Sequence, residues 1–203
     1  NMVTVVATDG HRLAYCETPH EGAPLSKQEV IIPRKSVLEL QRLLADTDEP
    51  VNIELSTNQA RFRFGEVTMI SKLVEGKFPD YQRVVPSGYK NQIEIDRTQL
   101  AGSLTRASIL TSDKFRGIRL SLSDSGLQVQ ITNADHEEAI EDIDANYYGE
   151  PLEIGFNVSY LIDVLANLKT EKVLIALGDS NSSALLTTED EPGFKYVVMP
   201  MRI

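Results

Sequence analysis

The chain has 203 residues, enough for one large domain or two small ones, and its 41% hydrophobic and 25% charged content is ordinary for a soluble globular protein. A net charge of −10 excludes a protein that coats nucleic acid with its whole surface, because such affinity comes from Lys and Arg neutralising phosphates; a local basic strip stays compatible with it. One cysteine, Cys16, excludes an internal disulfide framework, and no apolar run approaches the roughly 20 residues that span a bilayer, so the expectation is a cytoplasmic protein with no membrane partner.

Met2-Val3-Thr4-Val5-Val6-Ala7 reads as a strand entered without a preceding cap or turn, and this predicts that the sequence is the later part of a longer protein. Asp9-Gly10 is a hairpin turn between this run and the next. A first helix is predicted over about 34–45, with Pro33 at its N-terminal position and an apolar stripe of Val37, Leu40, Leu43 and Leu44 flanked by Leu38. Lys35, Glu39, Arg42 and Asp46 fall on its opposite face, with Arg34 at its mouth. Three strands follow, at Val51–Leu55, Arg61–Phe64 and Thr68–Ile70, and Pro79, Pro86, Ser87 and Gly88 mark a linker.

A second helix is predicted over about 97–110, with Asp96 as N-cap and Gln99 three residues on, as in a capping box. Leu100, Leu104 and Ala107 form its buried face and Gln99, Ser103 and Arg106 its outer one. Strands at Ile118–Leu122, Leu127–Ile131 and Glu138–Ile143 follow, the first two separated by Ser125-Gly126. A third helix, over about 158–168, has Asn157 as N-cap and a stripe of Leu161, Val164, Leu165 and Leu168. Its outer residues Ser159, Asp163, Asn167 and Lys169 are only weakly basic. Strands at Val173–Leu177, Ser183–Leu186 and Tyr196–Val198 complete the sequence. Pro200 cannot donate to a ladder, so Met199-Pro200-Met201-Arg202-Ile203 should peel away from the sheet. Two readings of this apolar segment stay open: a tucked tail on a core strand, or an adaptable surface for a partner, since methionine repacks around varied ligands.

The helices begin near 34, 97 and 157, so a strand–helix–meander unit recurs at roughly 60 residues. One unit has a single helix and cannot enclose a core, which predicts that two pair with both helices on one side of the sheets. The class is α+β, divided as 1–86, an incomplete domain, and 87–203, a complete one.

No enzymatic constellation stands out. His136-Glu137-Glu138 lacks the second histidine of a helical zinc motif, and Asp9-Gly10-His11 is first a turn. There is no P-loop, nucleotide-binding glycine fingerprint or Gly-x-Ser-x-Gly elbow. The expectation is a non-catalytic protein without cofactor or metal.

Five separated motifs then converge. Thr8-Asp9-Gly10-His11-Arg12-Leu13-Ala14, Pro33-Arg34-Lys35, Gly76-Lys77-Phe78-Pro79-Asp80-Tyr81, Lys114-Phe115-Arg116-Gly117 and Met199-Pro200-Met201-Arg202 resemble, in this order, the bacterial sliding clamps, the β subunits of DNA polymerase III. The resemblance spans the whole chain. It implies the DNA-clamp fold, with antiparallel sheets outside and helices lining a ring, and it makes 1–86 the later part of a second domain and 87–203 a third. It also implies a head-to-tail homodimer around duplex DNA, and partners that include polymerase subunits, the clamp loader and repair polymerases.

The site residues implied are of three kinds. A short peptide is expected to dock against Thr8, Gly10, His11, Arg12 and Leu13, with Pro79, Arg83 and Val84. From the last domain the same pocket takes Asn157, Tyr160, Ser183, Val197, Met199, Pro200, Met201 and Arg202, while Asn181 stands where the family often has an aliphatic residue. DNA is expected to meet Arg34, Lys35, Arg42 and Arg106, from helix position and repeat pairing, and Arg116, from the resemblance. The half-ring interface is expected to use Ile109 and Leu110 with the acidic edge Glu137, Glu138, Glu141 and Asp142. The competing reading is a stand-alone peptide-binding module without a DNA role; a small-molecule enzyme is supported by no sequence feature.

Overall fold

Alternating apolar and polar residues dominate the sequence, and the computed structural model, which describes residues 2–20, 26–45, 47–112 and 116–203, contains fourteen strands and three α-helices among them. Residues Asn1–Gly22 and Gln82–Ile203 form one unit and Ala23–Tyr81 another. Asp46, Lys114 and Phe115, named above, lie outside the described residues.

In the larger unit β1 (Met2–Thr8) and β2 (Arg12–Pro19) form an antiparallel hairpin. Then come β6 (Asn91–Asp96), α2 (Arg97–Ala107), β7 (Gly117–Ser123), β8 (Gly126–Thr132), β9 (Glu138–Ile143) and the short β10 (Asn146–Tyr148). The pattern recurs as β11 (Leu152–Asn157), α3 (Val158–Asn167), β12 (Lys172–Leu177), β13 (Ala184–Thr187) and β14 (Phe194–Val198). Two sheets result, in the orders β1-β2-β14-β13-β12-β6-β10 and β11-β7-β8-β9.

The repeat is therefore exchanged. β6, the leading strand of the first copy, pairs with β12 of the second, and β11, the leading strand of the second, pairs with β7 of the first. Each helix starts where its leading strand ends, and α2 and α3 pack against one another and against strands of both sheets. A single core follows, in which Leu104, Ile118, Leu165, Val173 and Leu186 have no exposed surface. Both helix starts are capped as the sequence predicts: the Asp96 carboxylate accepts from the Gln99 amide at 2.7 Å and the Asn157 side chain from the Ser159 amide at 3.0 Å.

The smaller unit holds α1 (Arg34–Leu44) and a three-stranded antiparallel sheet of β3 (Asn52–Leu55), β4 (Gln59–Phe64) and β5 (Val67–Lys72). Its core is small: Ala60, Phe62 and Phe64, with Ile32, Leu40, Leu44, Val51, Met69 and Leu73 against them.

Three local expectations need correction. The α1 stripe does not bury as a whole: Leu40 and Leu44 meet the sheet, whereas Val37, Leu38 and Leu43 are exposed, because one helix on three strands buries only the side that faces them. The second helix ends at Ala107, and Ser108–Leu110 forms a 3-10 turn closed by the Thr111 amide on Ser108 O. Ser103, assigned above to the outer face, is buried beneath the Arg106 guanidinium, which donates to its Oγ at 3.1 Å. Leu104→Ala, inside the exchanged core, should cost about 2–5 kcal/mol, and Leu43→Ala only about 0.5 kcal/mol; urea denaturation of the two variants checks the contrast.

Candidate functional site

The turn between β1 and β2 is built by its own side chains. Gly10 adopts φ 89°, a left-handed conformation that suits glycine. Asp9 Oδ1 accepts from the His11 and Arg12 amides at 3.0 and 3.1 Å, and Thr8 Oγ1 donates to Arg12 O at 2.7 Å while accepting from the Gly10 amide. Asp9 Oδ2 also accepts from Arg12 Nε at 3.2 Å.

Arg12 carries the turn onto α3. Its Nη1 donates to Asp163 Oδ2 at 2.6 Å and to Tyr196 Oη at 3.3 Å, and its guanidinium carbon lies 4.3 Å from the centroid of the Tyr160 ring. The His11 ring stacks on the same Tyr160 at a centroid distance of 6.4 Å, and Tyr196 Oη donates to Tyr160 O at 3.3 Å. Asp163, exposed on the outer polar face of the third helix as read from sequence, pairs there with this arginine. Sequence periodicity has no signal for such a pair, whose members are 151 positions apart.

The segment after β14 completes the face. β14 lies between β13 and β2, so Tyr196, Val197 and Val198 are buried, but Met199 and Met201 beyond it are 47% and 37% exposed. The strand is thus core, and both methionines after it are exposed. The Met199 amide donates to His11 O at 2.9 Å and the Met201 amide to Gly155 O at 2.8 Å. Leu13 and Val197 face one another across the β2–β14 ladder, both buried and both outside the helix-packed core. Met199, Met201 and Ile203 beyond them are exposed apolar residues, as is Val84 elsewhere on the same unit.

Of the remaining expected pocket residues, Arg83 and Arg202 are exposed and Pro200 and Ser183 half-buried. Asn157 spends its carbonyl on the α3 cap, and Pro79 belongs to the other unit. Among the expected DNA contacts, Arg34, Lys35 and Arg42 are exposed on α1, with Arg42 3.4 Å from Glu39, whereas Arg106 and Arg116 belong to the larger unit. Arg106 makes a two-pronged pair with Glu141, at 2.7 and 2.5 Å, which holds the carboxylate below its usual range. Arg116 Nη1 donates to Ser159 Oγ at 3.1 Å.

The expected acidic edge divides over the two faces of edge strand β9. Glu141 turns to α2, while Glu138 and Asp142 bond Gln130 and Gln128 on the opposite face, at 2.5 and 2.8 Å. Glu137 accepts from Asn133 Nδ2 at 2.7 Å. Ile109 is 79% exposed, but its neighbour Leu110 packs on the core.

Burial of Asp9 opposes its charge, but the His11 and Arg12 amides, then the Arg12 guanidinium, outweigh it and hold the carboxyl below its ordinary value. Burial likewise pushes the Tyr196 hydroxyl up against the opposing pull of Arg12. A carboxyl lowered by folding stabilises above its unfolded pKa of about 3.9 and loses that contribution as pH falls through the lower folded value. The Arg12 amide resonance should therefore show an acid step with its midpoint below about pH 4, and Asp9→Ala should remove that step in an NMR titration.

Comparison with known proteins agrees with this placement of elements. Residues 1–80 match the DNA polymerase III beta subunit central domain and residues 82–202 its C-terminal domain. The chain is 50% identical over 198 residues to the beta sliding clamp of Pseudomonas aeruginosa, covering 98% of this chain and 54% of that protein. Against the Escherichia coli beta sliding clamp it is 45% identical over 198 residues, with the same coverage. A crystal structure of the DNA polymerase III subunit beta from Pseudomonas aeruginosa superposes with a TM-score of 0.94 at 49% identity, covering 99% of this chain and 55% of that one. The chain thus spans about half the length of the relatives it matches. By two adjoining domain matches and by near-half identity throughout, the chain belongs to the DNA polymerase III beta subunit family, the beta sliding clamps.

Proposed function

We propose that this chain carries the later half of a second clamp domain, 1–86, and a whole third domain, 87–203, of a non-catalytic processivity factor. In the full-length protein two subunits close head to tail around duplex DNA in the cytoplasm and tether polymerase subunits, the clamp loader and repair polymerases through short peptides. The observation that carries the reading is that Arg12 fixes the β1–β2 turn on α3 while the Met199 amide bonds His11 O, which sets the exposed Met199 beside that turn. Such a face suits an apolar peptide anchor: a fully buried Leu or Phe contributes about 1.5–3 kcal/mol, and neighbouring polar groups fix orientation. One or two anchors give affinity of roughly micromolar order, suited to exchange among partners.

The charge pattern supports encirclement without a firm grip. A −10 chain repels phosphates on average, and Arg106 and Arg42 have carboxylate neighbours, so a sparse set of long cations offers loose attraction. Phosphate contacts of that kind do not read bases, and a ring retains DNA by topology. In the proposed dimer the edge strand β9 and the exposed Ile109 meet the other subunit.

A labelled Gln-Leu-x-Leu-Phe peptide should bind the 203-residue chain with roughly micromolar Kd in fluorescence anisotropy. Deletion of 199–203 should weaken it about tenfold or more while the melting transition persists; a folded truncation that binds at full strength would refute the pocket. For the full-length protein, neutralising Arg34, Lys35, Arg42, Arg106 and Arg116 together should weaken DNA association equally for all sequences and flatten its salt dependence. Loss confined to particular sequences would indicate base readout. Retention on closed circular DNA that is lost on linearisation supports the ring; no retention on circular DNA, with peptide binding intact, would favour a peptide module with no DNA role.

A further inference from the structure

Segment 199–203 leaves the seven-stranded sheet at the end of β14 and reaches the other sheet, where the Met201 amide donates to Gly155 O at 2.8 Å. Gly155 lies on edge strand β11 between Ile154 and Phe156, whose side chains enter the core. By strand alternation Gly155 faces the other way, yet it too is buried. The segment itself does the covering. A Cβ at Gly155 would run into Met201 O and would lie 2.6 and 2.7 Å from Cγ1 and Cδ1 of Ile203.

Gly117 on β7 repeats the geometry: a Cβ there would run into Cγ2 of Ile203, with Met201 Sδ 3.7 Å away. The two glycines are diagonal neighbours, since Asn157 pairs with Gly117 and Gly155 with Arg119. Neither has a positive φ, so backbone freedom does not explain them. Glycine also weakens a strand, where β-branched and aromatic residues pack better. Space remains as the physical reason for both.

We propose that Gly117 and Gly155 are positioning residues of the peptide site: they form a notch that seats Ile203 and the Met201 carbonyl, and so hold Met199 and Met201 beside His11. This rests on the reading of that face as a peptide site. The notch acts at the far end of the segment, and the bond from the Met199 amide to His11 O fixes the near end. With both ends held, the methionine side chains are presented on a backbone already ordered, which lowers the entropy a peptide must overcome on binding.

The two glycines fail differently, and this makes the proposal testable. At Gly117 the severe clash is with the Ile203 side chain alone, so shortening Ile203 should relieve it; at Gly155 the clash includes the Met201 carbonyl, which no side-chain change removes. The 203-residue chain and the variants Gly117→Ala, Gly155→Ala, Ile203→Ala, Gly117→Ala/Ile203→Ala and Gly155→Ala/Ile203→Ala are compared by thermal melt and by two readouts. One is hydrogen exchange of the Met201 amide, which reports seating; the other is anisotropy of the labelled Gln-Leu-x-Leu-Phe peptide. Each single glycine variant should lose Met201 protection and bind roughly tenfold more weakly. Adding Ile203→Ala should restore Gly117→Ala to the level of Ile203→Ala itself and leave Gly155→Ala weak. If either folded glycine variant keeps wild-type protection and affinity, or if Ile203→Ala does not rescue Gly117→Ala, the notch is overturned. Should Gly155→Ala not fold, the Gly117 pair decides. A wild-type chain with a protected Met201 amide and no peptide binding refutes the functional reading instead, and exchange still reports on the seating.

Discussion

Neither copy of the strand–helix–meander repeat can close on itself, and this constraint organises the larger unit. A helix laid on three strands leaves apolar residues uncovered, as α1 does with Val37, Leu38 and Leu43. Between residues 91 and 198 the problem is solved by exchange: β6 completes the sheet of the second meander and β11 that of the first. Burial of Leu104, Leu165 and Phe156 is then shared by both copies, so the hydrophobic gain that opposes chain entropy exists only when the two are assembled.

The same exchange positions the candidate site. With β12–β14 in one sheet and β11 in the other, the end of β14 and the start of α3 lie close enough for segment 199–203 to bond His11 O at one end and Gly155 O at the other. The hairpin of residues 2–19 extends the first sheet by pairing β2 with β14, and Arg12 converts that backbone ladder into a fixed contact with α3. A half-exposed ion pair such as Arg12–Asp163 is worth little alone, about 1 kcal/mol or less. Its contribution is geometric, since the same guanidinium is also held by Asp9, Tyr196 and the Tyr160 ring. One cation thereby sets the position of the turn, the His11 ring and the carbonyl that receives Met199.

Much of this was legible in the sequence because it is local. Period and caps located the three helices, Asp96 and Asn157 cap as expected, and Asp9-Gly10 turns the first hairpin. Adjacent hairpin partners followed from turn chemistry, but the exchange of β6 and β11 did not, since pairing across more than thirty residues leaves no periodic trace. The motif resemblance named the residues of the turn and of segment 199–203, and the Met199 amide on His11 O links the two. Asp163 and Arg106 were assigned by helix face alone, which identifies the exposed side but not the partner; the structure gives them Arg12 and Glu141. Gly117 and Gly155 were silent, because a glycine in a strand reads as weak propensity until the atoms occupying its missing side chain are seen.

The central claim is that the turn at Asp9–Arg12, the start of α3 at Tyr160 and segment 199–203 make one peptide-binding face. Chemical-shift mapping of the isotope-labelled chain, titrated with unlabelled Gln-Leu-x-Leu-Phe peptide, tests it most directly. The account predicts saturable shifts concentrated at His11, Arg12, Tyr160, Met199 and Met201, with β9 and Ile109 unmoved. Shifts that cluster on β9, or that are absent at peptide concentrations well above the micromolar range, would contradict it.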